Sequence, residues 1–269
     1  MIDIVLHQTD VHQIKKKFYD YNWRGKILNT KKYNTLNNFH EKANALRLDR
    51  LYKEAVSSYL NAILIDRNNP ESYFGLGVCY KNLKQYSKAI KYLTIASQIK
   101  DDYYEAFYEL GICHQLEGIG CGAIKNFIRA IQINPDNPEA ILQLGISHEL
   151  CEEYDLALMI YKKLTENSPG FLKAYEQKAS LLMKLSKYKE AIVILGKLIK
   201  RNPDYYKAYA QIGECFEKLG KTSQAKRYYR KFLIMKPFSN QAKNIKNRLQ
   251  NIKNHKKSQN YLSLIKRNA

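Results

Sequence analysis

Shifting the amino-acid sequence against itself by 34 residues gives a gapless register from residue 36 to residue 239, and no other feature narrows the possible folds so far. Six copies begin at Leu36, Pro70, Tyr104, Pro138, Leu172 and Tyr206. The eighth slot holds Ala43, Gly77, Gly111, Gly145, Ala179 and Gly213, and the twentieth holds Ala55, Ala89, Ala123, Ala157, Ala191 and Ala225. Twelve small residues in twelve slots mark a structural requirement. The fourth slot is Phe39, Tyr73, Phe107, Ile141, Tyr175 and Tyr209; the twenty-fourth is Tyr59, Leu93, Phe127, Tyr161, Leu195 and Tyr229. Proline closes the later copies at Pro135, Pro169, Pro203 and Pro237.

Within each copy, apolar residues at slots 4, 7, 8 and 11 form one helical stripe, as in Tyr73, Leu76, Gly77 and Tyr80. A second stripe runs through slots 20, 21, 24, 27 and 28, as in Ala89, Ile90, Leu93 and Ala96. Two helices joined by a short turn are expected, with small residues at slots 8 and 20 where the backbones approach. Proline at slot 32 ends the second helix, because it has no amide donor and clashes with the turn before it.

The pattern resembles the tetratricopeptide-repeat family over residues 36–239. The resemblance implies an all-α, right-handed superhelical solenoid of antiparallel helix pairs. Its repeats would span 36–69, 70–103, 104–137, 138–171, 172–205 and 206–239. Local departures are Arg67 and Asp101 at the closing proline, Gly120 and Thr222 at slot 17, and Leu164, Leu198 and Phe232 at the usually small slot 27. The last three predict looser or shifted packing in the C-terminal half. Residues 240–269 are expected to form a basic capping helix and tail, with Ala242, Ile245, Leu249 and Ile252 covering the last repeat. Residues 1–35 do not fit the repeat; a helix from about Val11 to Phe18 is expected there.

Little in the sequence points to catalysis, and no cofactor or metal is expected. Gly118, Gly120 and Gly122 have phosphate-loop spacing but fall in a helix–helix turn, not after a strand. His114 and His148 sit one period apart at slot 11, without a matching carboxylate, and read as core histidines. Cys79, Cys113 and Cys215 share slot 10 and read as small buried hydrophobes. Five cysteines with no paired spacing, and no run of apolar residues long enough to span a membrane, lead to the expectation of a cytoplasmic protein.

In the family, slots 2, 5, 9, 12 and 13 of the first helix face the ligand. Carried over, they are Glu71, Phe74, Val78 and Lys81 in repeat two, and Glu105, Tyr108, Ile112, Gln115 and Leu116 in repeat three, with Glu109 beside them. Repeat four supplies Glu139, Leu142, Ile146, Glu149 and Leu150. These form a second apolar stripe edged by carboxylates, suited to a peptide or amphipathic helix of another protein, one carrying basic residues. The alternatives to a ligand are packing among neighbouring helices and the chain's own N-terminal arm, and the ligand is the preferred reading. The family's clamp for the acidic C-termini of heat-shock chaperones is not expected. Its slots hold His40, Asn44, Gly75, Glu105 and Glu109, of which only Asn44 matches.

A net charge of +20 raises the alternative of nucleic acid or an anionic membrane. Its distribution is uneven. The six repeats carry +1, +2, −2, −4, +5 and +6, and residues 172–269 hold +19. The candidate basic patch is Lys226, Arg227, Arg230, Lys231, Lys243, Lys246 and Arg248, in a region that could also favour head-to-tail self-association. The expected function is a non-catalytic protein-interaction scaffold, adaptor or assembly chaperone, with an anionic-ligand module as the alternative.

Overall fold

A computed structural model describes residues 35–252; the helix expected near Val11–Phe18 and the tail beyond residue 252 lie outside them. Among the described residues there are thirteen helices and no strand. They are α1 (35–48), α2 (Tyr52–Ile65), α3 (Pro70–Asn82), α4 (Tyr86–Ile99), α5 (Tyr104–Leu116), α6 (Gly120–Ile133), α7 (Pro138–Leu150), α8 (Tyr154–Asn167), α9 (Leu172–Lys184), α10 (Tyr188–Arg201), α11 (Tyr206–Lys218), α12 (Thr222–Met235) and α13 (240–252). The 34-residue period is thereby resolved into its parts. A first helix of 13 residues and a second of 14 recur, as in α3 and α4.

The chain divides into two compact units, residues 1–136 and 137–269, a division that the repeat pattern does not mark. In the first, α2 packs on α3, α3 on α4, α4 on α5 and α5 on α6; in the second, α7 to α12 pack in the same consecutive way. Each unit is a short all-α solenoid of helix pairs.

The turn inside each pair is built the same way six times. The residue at slot 15 has positive φ: Arg50, Lys84, Gly118, Glu152, Ser186 and Gly220. In the second repeat Gln85 N–H donates to Tyr80 C=O (2.9 Å) and Lys84 N–H to Lys81 C=O (2.9 Å). That pair of bonds is a Schellman motif, which caps the last carbonyls of the first helix. Gly118 is thus a turn glycine at the left-handed position, and the phosphate-loop spacing has no further meaning. Asn69 and Asn137 cap α3 and α7 by accepting from Ser72 N–H (2.7 Å) and Glu139 N–H (2.9 Å), each followed by proline at the first helical position.

The small residue at slot 8 has a more specific cause than backbone approach. A methyl group at Gly145 would lie 2.4 Å from Cε1 of Tyr161, and one at Gly213 2.5 Å from Cδ1 of Tyr229. Phe127 crowds Gly111, and Leu93 crowds Gly77, at 2.6 Å. Where slot 8 is glycine, the side chain at slot 24 of the second helix therefore passes over the first helix where a Cβ would obstruct it; in repeats one and five slot 8 is alanine, and the Tyr59 ring lies against Gly75 of the next repeat. At slot 27, where looser or shifted packing is expected, Leu164, Leu198 and Phe232 are all buried. In α13, Ala242, Ile245 and Ile252 are buried against repeat six, with Leu249 packed at the edge.

Candidate functional site

The first helices place the candidate groove residues in three different situations. Some have been absorbed by packing. Val78 is 8% exposed and Leu142 2%, and Ile146 packs against the cluster that contains Leu142. Phe74 is half-buried, its ring 5.2 Å from that of Tyr103. The stripe read as ligand-facing at slots 5 and 9 is here partly a contact between helices, at Val78 and Leu142 above all, which one helix's periodicity cannot distinguish from an open face.

A second set is charged. Lys81 Nζ pairs with Glu109 at 2.6 Å, and Lys173 Nζ with Glu139 at 3.0 Å; Glu71 and Glu105 are exposed. The third set remains apolar and accessible. Tyr108 and Ile112 are half-buried, with the Tyr108 ring stacked on Tyr104 (5.9 Å) and set edge-on to Phe127 (5.7 Å). Leu116 is 52% exposed and Leu150 49%, at the ends of helices that already bury a full core face. Leu48, at the same slot of repeat one, is exposed too and went unremarked in the sequence. Gln115, beside Leu116, is half-buried.

Sequence reasoning also missed the tyrosines at slot 24, taken there as core alone. Both rings and hydroxyls are buried, and the hydroxyls bond polar side chains of the first helix. Tyr59 Oη donates to Asn44 Oδ1 (2.7 Å) and accepts from Arg47 Nε (3.2 Å). Tyr161 donates to Glu149. Tyr229 donates to Glu217 Oε2 at 2.5 Å and accepts from Arg248 Nη1 at 3.4 Å. The sequence signal is weak: a charged residue stands twelve positions before each tyrosine at slot 24, but the charged Lys81 and the polar Gln115 stand at the same distance before Leu93 and Phe127. Burial pushes these phenols up, Tyr229 and Tyr161 most of all, helped by the carboxylate each one faces.

In the basic region, Arg248 is committed within the chain. Its guanidinium reaches Glu217 Oε2 and Glu214 Oε1, both at 3.1 Å, and it drops out of the candidate patch. Glu214 and Arg248 are one period apart, a spacing that a segment-by-segment charge count passes over. Lys231 lies over the Tyr209 ring, 5.5 Å from its centroid. Lys226, Arg230 and Lys246 line a recess of about 340 Å³ with Leu249 and Gln250, while Arg227 and Lys243 are exposed.

The cysteines at slot 10 are buried, which pushes the Cys79 thiol up to about 11 and those of Cys113 and Cys215 to about 12, far from a thiolate nucleophile. His114 is half-buried against Gly122, where burial lowers its pKa; His148 pairs with Glu153 at 2.5 Å. Among the described residues, no group of three or more His, Cys, Asp or Glu side chains converges as metal ligands would. Nor is any described helix long and apolar enough to cross a membrane.

Two family models, both described as Tetratricopeptide repeat, match residues 58–91 and 182–249. No curated protein matches the chain. Solved structures do. PilW, a widely conserved type IV pilus biogenesis factor, is 21% identical with a TM-score of 0.64, over 78% of this chain and 97% of that one. The C-terminal part of a TPR repeat-containing protein from Cytophaga hutchinsonii is 20% identical with a TM-score of 0.65, over 73% and 78%. YrrB, a TPR protein with an unusual peptide-binding site, is 17% identical with a TM-score of 0.54, over 70% and 97%. At these identities the likeness concerns the fold.

Proposed function

Because the chain belongs to the tetratricopeptide-repeat family, whose members are generally scaffolds for protein interaction or assembly, we propose that it is a non-catalytic adaptor that holds a peptide or amphipathic helix of another protein against its first helices. The observation that carries this reading is the exposure of Leu116 and Leu150, each near half-buried side chains of α5 and α7. A helix with one face in the core has no structural use for an exposed second one, and apolar area left in water is stabilised by covering it. The carboxylates of Glu71, Glu105 and Glu149 give the partner's chemistry its sign: basic residues beside apolar anchors. The buried thiols of Cys79, Cys113 and Cys215 suit a reducing compartment, and we read the protein as cytoplasmic.

The test is capture of partners by the tagged full chain, washed at rising salt. Apolar contacts survive where phosphate-type contacts weaken steeply. Replacing Tyr108 and Ile112 together with Asp is expected to abolish capture while circular dichroism reports unchanged helix content. A double variant that keeps its partner at full affinity overturns the assignment.

A second reading is favoured by the recess between α12 and α13. Lys226, Arg230 and Lys246 meet there with no ion pair to a carboxylate among the described residues, an arrangement suited to an anionic ligand such as a phosphate group. Nuclease-sensitive, salt-labile capture that is lost on replacing Lys226 and Arg230 with Glu would move the function there.

A further inference from the structure

Repeats four and six carry the same unusual pair, a buried tyrosine whose hydroxyl is bonded to a glutamate on the inner face of the first helix. In repeat six the pair is Tyr229 and Glu217, and it is occupied. Arg248 of α13 lays one guanidinium nitrogen between Glu217 (3.1 Å) and the Tyr229 hydroxyl (3.4 Å), while the other reaches Glu214 at 3.1 Å. Repeat one repeats the theme with other residues, for there the Tyr59 hydroxyl accepts from the guanidinium of Arg47 at 3.2 Å. In both cases a phenol oxygen with its proton engaged elsewhere turns its lone pairs toward an arginine.

Repeat four has the tyrosine and the carboxylate without the cation. Tyr161 is fully buried and donates to Glu149, and no ion pair reaches Glu149 among the described residues. Its slot in the next first helix, where Arg248 stands relative to repeat six, holds Ser180. Lys184 acts on Glu149 only through space; its ammonium is placed over the Tyr154 ring, 4.6 Å from the centroid. Burial disfavours the charged form of Glu149, so a cation brought to it would relieve a cost the fold already bears.

We propose that Glu149, held in place by the buried Tyr161 hydroxyl, forms a socket for an arginine side chain of the partner protein, the intermolecular counterpart of the Arg248–Glu217 contact in repeat six. This inference rests on the reading of the first helices as a protein-binding face. Arginine fits better than lysine, because its planar fork can engage a carboxylate at two points, whereas an ammonium is a strongly hydrated point charge. Ile146 stands where Glu214 stands in repeat six, so the socket offers one carboxylate and an aliphatic neighbour in place of two carboxylates. Leu150, half exposed next to Glu149, marks where an apolar residue beside the arginine would settle.

The test uses the full chain and a short glycine–serine peptide with a single arginine, compared with citrulline and lysine counterparts. The readout is the carboxyl carbon resonance of Glu149 in glutamate-labelled protein. The arginine peptide is expected to shift that resonance saturably, the lysine peptide more weakly, and the neutral citrulline peptide not at all. Glu149→Gln keeps an acceptor for the Tyr161 hydroxyl, so the fold is retained; it lacks the reporting carboxyl, so its affinity is compared with the parent's by titration calorimetry, where it is expected to weaken the arginine peptide about tenfold. Arg248→Ala opens the repeat-six pair and is expected to add a second arginine-dependent shift, at Glu217. Equal response to arginine and citrulline, or undiminished binding by Glu149→Gln, overturns the socket. Self-association that Glu149→Gln abolishes, or peptide binding that requires removal of the chain's own Arg24 or Arg267, would assign the socket to this chain and overturn its assignment to a partner. The two readings fail separately. A captured partner lost with Tyr108→Asp and Ile112→Asp but untouched by Glu149→Gln refutes the socket and leaves the scaffold standing; an arginine-responsive Glu149 in a chain that captures no protein does the reverse.

Discussion

Repeats one, four and six differ from repeats two, three and five at a single buried position. In the first group slot 24 is tyrosine (Tyr59, Tyr161, Tyr229); in the second it is hydrocarbon (Leu93, Phe127, Leu195). All six side chains are buried to nearly the same degree. Only the tyrosines add a polar atom, and it bonds a polar side chain of the first helix: Asn44 and Arg47, Glu149, or Glu217. One side chain thus belongs to the core with its ring and holds a partly exposed residue in place with its tip, which is possible because a phenol joins an apolar ring to a hydrogen-bonding end. A core position in a thin two-helix layer is never far from a surface.

The most drastic way to break the comparison is to close the passage. Gly145→Val, or Gly213→Val, places carbon atoms where the Tyr161 or Tyr229 ring stands, and is expected to destabilise the chain by about 3 kcal/mol in urea unfolding. Gly196, where a new Cβ would meet nothing, is the control, and Gly196→Ala is expected to be neutral or slightly stabilising. Equal effects at Gly145 and Gly196 would show that the ring does not depend on the gap.

A smaller effect separates the tyrosines from one another. Tyr229→Phe removes one hydroxyl from a network in which Arg248 still pairs with Glu217 and Glu214, and is expected to cost about 1 kcal/mol. Tyr161→Phe takes the hydrogen-bond donor from a half-buried Glu149 that has no ion pair among the described residues, and is expected to cost more, about 2 kcal/mol. A reversed order in urea unfolding would contradict the view that the repeat-four pair lacks its cation.

The subtlest test is the pH dependence of Glu149. Burial holds its carboxyl above the ordinary value of 4.5, against the opposing pull of the Tyr161 hydroxyl and the Lys184 charge. The folded chain therefore holds this proton more tightly than the unfolded chain, and stability falls as pH rises from 4.5 through the raised value. Glu149→Gln removes that fall. The variant is expected to match the parent in acid and to gain on it toward neutral pH, and a gap that narrows instead would mean that Glu149 is stabilised as the anion.

The sequence made the fold legible to a fine grain, because a period repeated six times averages away local accidents. The small residues at slots 8 and 20, the stripes on both helices and the covering face of α13 (Ala242, Ile245, Leu249 and Ile252) could all be placed from it. The site was legible only in part. Apolar residues at slots 5 and 9 look alike whether a neighbouring helix covers them, as at Leu142, or leaves them half open, as at Ile112. Arg248 counted as one more positive charge until its carboxylates were seen. Both failures have one source: periodicity reports which face of a helix a residue occupies, and packing decides what stands opposite.

The six Schellman turns are geometrically alike, but Gly118 and Gly220 fill the left-handed position with the residue suited to it, whereas Arg50, Lys84, Glu152 and Ser186 fill it with residues that resist it by roughly 1 kcal/mol each. In a chain whose repeats contact chiefly their neighbours, such local costs are not averaged over the whole molecule. The hinges of repeats three and six are relaxed, and those of one, two, four and five are held bent by the helices on either side. Opening of a helix pair releases that tension at four turns and not at the other two, so the chain is graded along its length in how readily it yields, although its repeats share one architecture.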